Sequence, residues 1–89
     1  MTPDIAGRIE SDFGPAAAEA AEILATFLAH GDEAVSDRLV RCIVYLARGN
    51  LETLCETIDL AEKDYRDVIW AAEYDGTQVR RQDFSQPFE

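Results

Sequence analysis

The sequence predicts an all-α fold, a small antiparallel bundle of four or five helices with an extended C-terminal tail, on three observations. Apolar residues recur three and four positions apart through most of the chain, the spacing of one helix face. Pro15, Gly31, Gly49 and Gly76 stand where such patterns begin or end, and these residue types suit those places. Hydrophobic residues make up 47% of the chain against 29% charged, far from a disordered composition, so the chain should fold. Residues 1–76 are expected to form a single helical domain and residues 77–89 a tail packed on it.

At the N-terminus, Ile5, Ile9 and Phe13 lie four apart and predict a short helix that Gly7 weakens. The stretch "FGPAAAEAAEILATFLAHGD" follows. Pro15 suits its first turn, Ala20, Ile23, Leu24, Phe27 and Leu28 form its buried stripe, and Gly31 stops it. The small Ala16, Ala17 and Ala21 permit close approach by another helix. A third helix starts between Asp32 and Ser36, both competent N-caps, and ends at Gly49. Its stripe of Val35, Leu39, Cys42, Ile43 and Leu46, widened by Val40, Val44 and Ala47, marks the central helix of the domain.

Asn50 caps the next helix, with Leu51, Leu54, Cys55, Ile58 and Ala61 on its buried face. The short Gly49-Asn50 connection makes the third and fourth helices an αα-hairpin. In architecture this hairpin resembles a tetratricopeptide unit, with a Gly at the turn and a helix ending in Ala. Only one hairpin is visible, however, and such units stabilise one another in arrays, so the likeness does not extend to family membership. The apolar spacing continues through Tyr65, Val68 and Ala72. A break near Asp64 is favoured, because Asp64 is a competent N-cap and an unbroken helix of about 37 Å would outreach its partners. Gly76 ends this segment, and "TQVRRQDFSQPFE" has no helical period.

The formal net charge is −10, from 18 acidic and 8 basic residues, and a surface this acidic repels phosphate backbones. Nucleic-acid and anionic-membrane binding are therefore disfavoured; solubility, a cation or a basic protein partner fits the charge. Residues 1–35 carry seven acids and only Arg8, whereas residues 36–63 carry five acids and four bases, so the acidity gathers toward the two ends. The N-terminal "MTPDIAGRIE" lacks a secretory pattern, and both cysteines, Cys42 and Cys55, fall on predicted apolar faces where a thiol behaves as a small hydrophobe. A reduced, cytoplasmic setting is the expectation.

Motifs of catalysis, metal binding and cofactor binding are absent from the sequence. The single histidine, His30, is placed to cap a helix end, and the pairs Glu19 with Glu22 and Glu52 with Glu56 read as solvated carboxylates. Zinc would require ligands that this chain does not supply in paired spacing, and no phosphate-loop, calcium-loop or dinucleotide pattern occurs. No cofactor is expected.

Two features rise above this background. Arg38, Arg41, Tyr45 and Arg48 form a stripe along the central helix, whose arginines neutralise carboxylates on neighbouring helices or form a groove for an anion. Arg66, Asp67, Trp70 and Tyr74 share one side of the last helix, opposite the stripe of Tyr65, Val68, Ile69 and Ala72. Mixed aromatic and charged groups of this kind occur at binding surfaces and in internal packing alike. The expected cover for Trp70 and Tyr74 is the tail, through Phe84 and Phe88; a homodimer or a separate protein is the alternative. The function these features favour is a small adaptor or regulatory interaction domain of unidentified partner. A neutraliser of a basic partner (an immunity protein, an antitoxin or a nucleic-acid mimic) and an enzyme of unrecognised type are its rivals.

Overall fold

The computed structural model describes residues 2–30, 37–74, 83, 84 and 86–88, and the described residues are mostly helical with no strand among them. Its Cα radius of gyration is 12.0 Å, the value of about 12 Å expected of a folded chain this long.

Helix α1 (Pro3–Phe13) begins with a proline, whose missing N–H is no loss at a first helical position. Ile5, Ile9 and Phe13 are all buried, and Gly7 faces open space, so it lowers helix propensity without a packing role. A 3-10 turn, Gly14–Ala16, leads directly into α2 (Ala17–His30), and Pro15 stands in that turn. Ala20, Leu24 and Phe27 of α2 are buried, with Ile23 and Leu28 packed against them at the margin.

Helix α3 (Asp37–Ala47) is the most deeply set element. Leu39, Val40, Cys42, Ile43, Val44 and Ala47 are all buried, and each large side chain so placed stabilises the fold by about 1.5–3 kcal/mol. The expected start between Asp32 and Ser36, with Val35, and the expected stops at Gly31 and Gly76 lie outside the described residues. Helix α4 (Leu51–Tyr74) follows after a turn in which Arg48 and Gly49 take φ of 51° and 78°. Asn50 then caps α4, its Oδ1 accepting the Thr53 N–H at 3.0 Å.

The described helices form three continuous helical stretches, 3–30, 37–47 and 51–74, where four or five separate helices were expected. The first two expected helices adjoin with no loop between them: Gly14 turns the chain at φ 52° and ψ −120°, outside helical geometry, and the 3-10 turn that it opens runs straight into α2. Within α4, Asp64 leaves helical geometry at φ −154° and ψ 96°. Its Oδ1 accepts the Arg66 N–H at 3.0 Å, as an N-cap does.

That kink corrects the expected stripe. Val68 and Ala72 are buried and Ile69 is half-buried, but Tyr65 is 43% exposed, because the non-helical residue beside it resets the phase of the second arm. A second correction concerns Cys55. It is exposed on α4, while Cys42 is buried, and neither forms a disulfide.

Two charged contacts tie the helices together. Arg38 at the start of α3 meets Glu73 at the end of α4, so these two helices run in opposite directions from their short turn. Arg41, one turn further along α3, meets Asp4 of α1. The turn itself rests on α1: a Cβ built on Gly49 would stand 2.2 Å from the Asp12 carbonyl oxygen, a separation that only glycine permits.

Candidate functional site

The arginines of α3 end in different places. Arg38 holds Glu73 in a forked geometry, Nε to Oε2 at 2.7 Å and Nη2 to Oε1 at 2.6 Å, with the carboxylate fully buried and the guanidinium partly exposed. Arg41 is itself buried and donates to Asp4 from Nε at 2.9 Å and from Nη2 at 3.3 Å. Each arginine is raised above its ordinary value, first by hydrogen bonding to its carboxylate. Asp4 is held well below the usual carboxylate range, chiefly by the Arg41 hydrogen bond, against the opposing effect of burial. Thr2 Oγ1 and the Phe88 N–H also donate to Asp4.

Tyr45 and Arg48 belong to neither ion pair. They line a shallow polar pocket together with Arg8 and Asp12 of α1. The Arg48 guanidinium stands 5.9 Å from the centre of the Tyr45 ring, and Arg8 Nε donates to Asp12 Oδ2 at 2.8 Å. The structure therefore divides the expected stripe of Arg38, Arg41, Tyr45 and Arg48 into two ion pairs and a pocket edge.

The C-terminal segment is seated beside the ion pairs. Phe84 is buried, its ring centre 5.0 Å from that of Tyr45, and Phe88 meets Phe84 edge-on at 5.9 Å. Arg8 covers the Phe88 ring at 4.9 Å. Main-chain bonds hold the same segment: Arg41 Nη1 donates to the Phe84 carbonyl at 3.1 Å, the Phe84 N–H to Glu73 Oε2 at 3.3 Å, and the Phe88 N–H to Asp4 Oδ2 at 3.1 Å.

This seat corrects the expected cover for Trp70. The phenylalanines were expected over Trp70 and Tyr74 on α4, but they lie on Tyr45 and Arg8, because buried Arg41 and Glu73 bond the segment's backbone there. Trp70 is 51% exposed. Arg66 and Asp67 beside it are exposed as well, Tyr74 is half-buried, and Arg66 stands 5.9 Å from the Tyr65 ring.

Residues that the sequence did not single out complete this arrangement: Asp4, Glu73, Arg8 and Asp12. Only Arg8 and Asp12 carried a local signal, their spacing of four on one helix. His30 ends α2, and its side chain lies outside the described residues. Glu19, Glu22, Glu52 and Glu56 are exposed. Among the described residues no three potential metal ligands gather, and no helix is long and apolar enough to cross a membrane.

Comparison with protein-family models, with curated proteins and with solved structures gives no match for this chain. The reading of function rests on the residues alone.

Proposed function

We propose that the helices form one antiparallel bundle that works in the cytoplasm as a small adaptor or regulatory domain, binding a protein partner through Arg66, Asp67, Trp70 and Tyr74. The observation that carries this reading is Trp70, half exposed on a helix whose other face, at Val68 and Ala72, is anchored in the core. A large aromatic ring flanked by exposed charges on a rigid support is the usual composition of an interface anchor. Tyr65 and, on the other side of the kink, Leu60 are further exposed large apolar residues of α4.

The test compares wild-type and Trp70→Ala chains as bait in the native cell extract, with mass spectrometry of what each retains. The proposal expects at least one protein retained by the wild type and lost by the variant, while circular dichroism of the two chains stays the same. Identical retention by both removes this face from consideration. Sedimentation of the purified wild type distinguishes a second copy of the chain as the partner.

The net charge of −10 supports a second reading, a neutraliser of a basic protein. In that case association should slow steeply as salt rises, because exposed charges are screened beyond about 8 Å at physiological ionic strength. An on-rate indifferent to salt would count against it.

A further inference from the structure

Of the three arginines that the central helix and its end present, two are spent on carboxylates, Arg38 on Glu73 and Arg41 on Asp4. The third is not. Arg48 makes no ion pair or hydrogen bond among the described residues, and its guanidinium stands only against the Tyr45 ring, at 5.9 Å. Its backbone is unusual as well: Arg48 is the one non-glycine residue with a positive φ among those described, 51°, at a helix end where glycine or asparagine costs less. An unpaired cation held in a disfavoured backbone conformation, in a chain of net charge −10, lacks a structural purpose of the kind that Arg38 and Arg41 have.

The surroundings of Arg48 are already ordered. It lines an open pocket of about 300 Å³ with Arg8, Asp12 and Tyr45, a volume at the lower end of ligand sites. The turn after α3 rests on α1 where Gly49 meets the Asp12 carbonyl, which sets Arg48 beside the two α1 residues. The Tyr45 ring is packed on Phe84, and its hydroxyl makes no hydrogen bond among the described residues. Arg8 is fixed by Phe88 under its guanidinium and by the bond from Nε to Asp12 Oδ2, which leaves its two terminal nitrogens without a hydrogen-bond partner among the described residues. Several donors therefore face one small space, on side chains with little freedom left to lose.

We propose that Arg48, Tyr45 and Arg8 form a binding site for the carboxylate of a small ligand. The Arg48 guanidinium supplies the fork that takes two carboxylate oxygens, and the Tyr45 hydroxyl and the terminal nitrogens of Arg8 supply further donors. Charge selects a carboxylate over a phosphate ester. The pocket holds two arginines and Asp12, a net charge of +1, which one carboxylate balances and a phosphate ester near −2 overshoots in a chain already acidic. A cation also suits the C-terminal end of α3 without any ligand, but that role makes no use of the Tyr45 hydroxyl. This site is separate from the Trp70 face and does not depend on it.

The experiment titrates the full-length chain with sodium acetate at pH 7, with sodium chloride holding the ionic strength constant, and follows the amide and arginine Nε–H resonances by NMR. Saturable shifts should gather on Arg8, Tyr45, Arg48 and Gly49, with a Kd on the order of 1–10 mM, the strength open to so small a ligand. Inorganic phosphate should bind more weakly than acetate. Arg48→Gln and Arg48→Gly should abolish saturation, and the glycine, which suits a φ of 51°, should leave the fold at least as stable as the wild type. Tyr45→Phe keeps the ring on Phe84 and should weaken acetate about threefold or more through the lost hydroxyl donor. Shifts that rise linearly or scatter over the surface would overturn the proposal, as would an unchanged titration in either Arg48 variant. Loss of fold in both would overturn it too, by making Arg48 a structural residue. An unchanged Kd in Tyr45→Phe would overturn the built site in favour of a helix-end cation, and phosphate binding tighter than acetate would overturn a carboxylate as the ligand.

Discussion

Arg41 of α3 grips Asp4 of α1 with two hydrogen bonds, of 2.9 and 3.3 Å, and uses its remaining nitrogen to hold the Phe84 carbonyl at 3.1 Å. One guanidinium therefore joins the first helix, the central helix and the C-terminal segment. The side chains of the pair are only 7% and 15% exposed, so removing one partner strands the other away from water. Arg41→Ala should cost about 3–5 kcal/mol in urea unfolding at neutral pH, as breaking buried pairs does. The double change Asp4→Ala with Arg41→Met should cost clearly less than the sum of the single changes, since it removes both charges together.

The same pair sets the acid limb of stability. Asp4 has a folded-state value depressed below its ordinary 3.8, mainly by the Arg41 hydrogen bond. A depressed carboxylate binds protons more readily in the unfolded chain, so its contribution is complete above the unfolded value and is lost as pH falls below it toward the folded value. Stability should therefore decline as pH drops below about 4. Asp4→Asn should flatten that decline relative to the wild type, measured by thermal unfolding between pH 2 and 7. A parallel decline in both proteins would exclude Asp4 as its source.

Two glycines should respond to alanine in opposite directions. Gly49 has a φ of 78° and a carbonyl oxygen of α1 where its Cβ would stand, so Gly49→Ala combines left-handed strain with overpacking. A loss of roughly 2–5 kcal/mol is expected from the two effects together. Gly7 lies inside α1 with nothing within 4 Å of its would-be Cβ, so Gly7→Ala should stabilise by roughly 0.5–1 kcal/mol through helix propensity. Denaturant midpoints of the two variants on either side of the wild type would establish the contrast.

What the sequence disclosed was local. Ile5, Ile9 and Phe13 announce the buried face of α1 by spacing alone, and Asn50 and Asp64 announce caps because a cap acts on residues two or three positions away. The partners of Arg38 and Arg41 lie 35 and 37 residues distant, and nothing periodic links residues so far apart. The seat of Phe84 was hidden for the same reason, being determined by Arg41 and Glu73 on two other elements. Tyr65 was misplaced because the period of a stripe says nothing of how far a kink turns the helix that follows. Cys55 was misplaced because it adjoins Leu54 at the edge of the stripe, where spacing does not separate the buried residue from its exposed neighbour.

The cysteines should separate cleanly in their chemistry. Cys55 is exposed and Cys42 is fully buried, so a polar alkylating reagent should modify Cys55 in the native protein and reach Cys42 only on unfolding. Cys55→Ala should change stability by less than about 0.5 kcal/mol, whereas Cys42→Ala should cost about 1 kcal/mol for the small cavity it leaves. Mass spectrometry after brief labelling reads the first contrast and urea unfolding the second. Equal labelling of the two native thiols would contradict the burial of Cys42.

Trp70 supplies the remaining test, because its emission reports its surroundings independently of the C-terminal segment. With 51% of the residue already in water and the phenylalanines seated on Tyr45 and Arg8, Phe84→Ala should leave the wavelength of native emission unchanged. That substitution should still lower stability by about 3–5 kcal/mol, the usual cost of removing a buried phenylalanine ring. Trp70→Ala should cost less than about 1 kcal/mol, since the change falls mainly on exposed surface. The two variants therefore respond in opposite senses: Phe84→Ala weakens the fold and leaves the tryptophan's environment alone, and Trp70→Ala removes the tryptophan and spares the fold. A shift of native Trp70 emission to longer wavelength in Phe84→Ala would show that the segment covers Trp70 in solution. The half-exposed ring would then lose its standing as an interaction anchor.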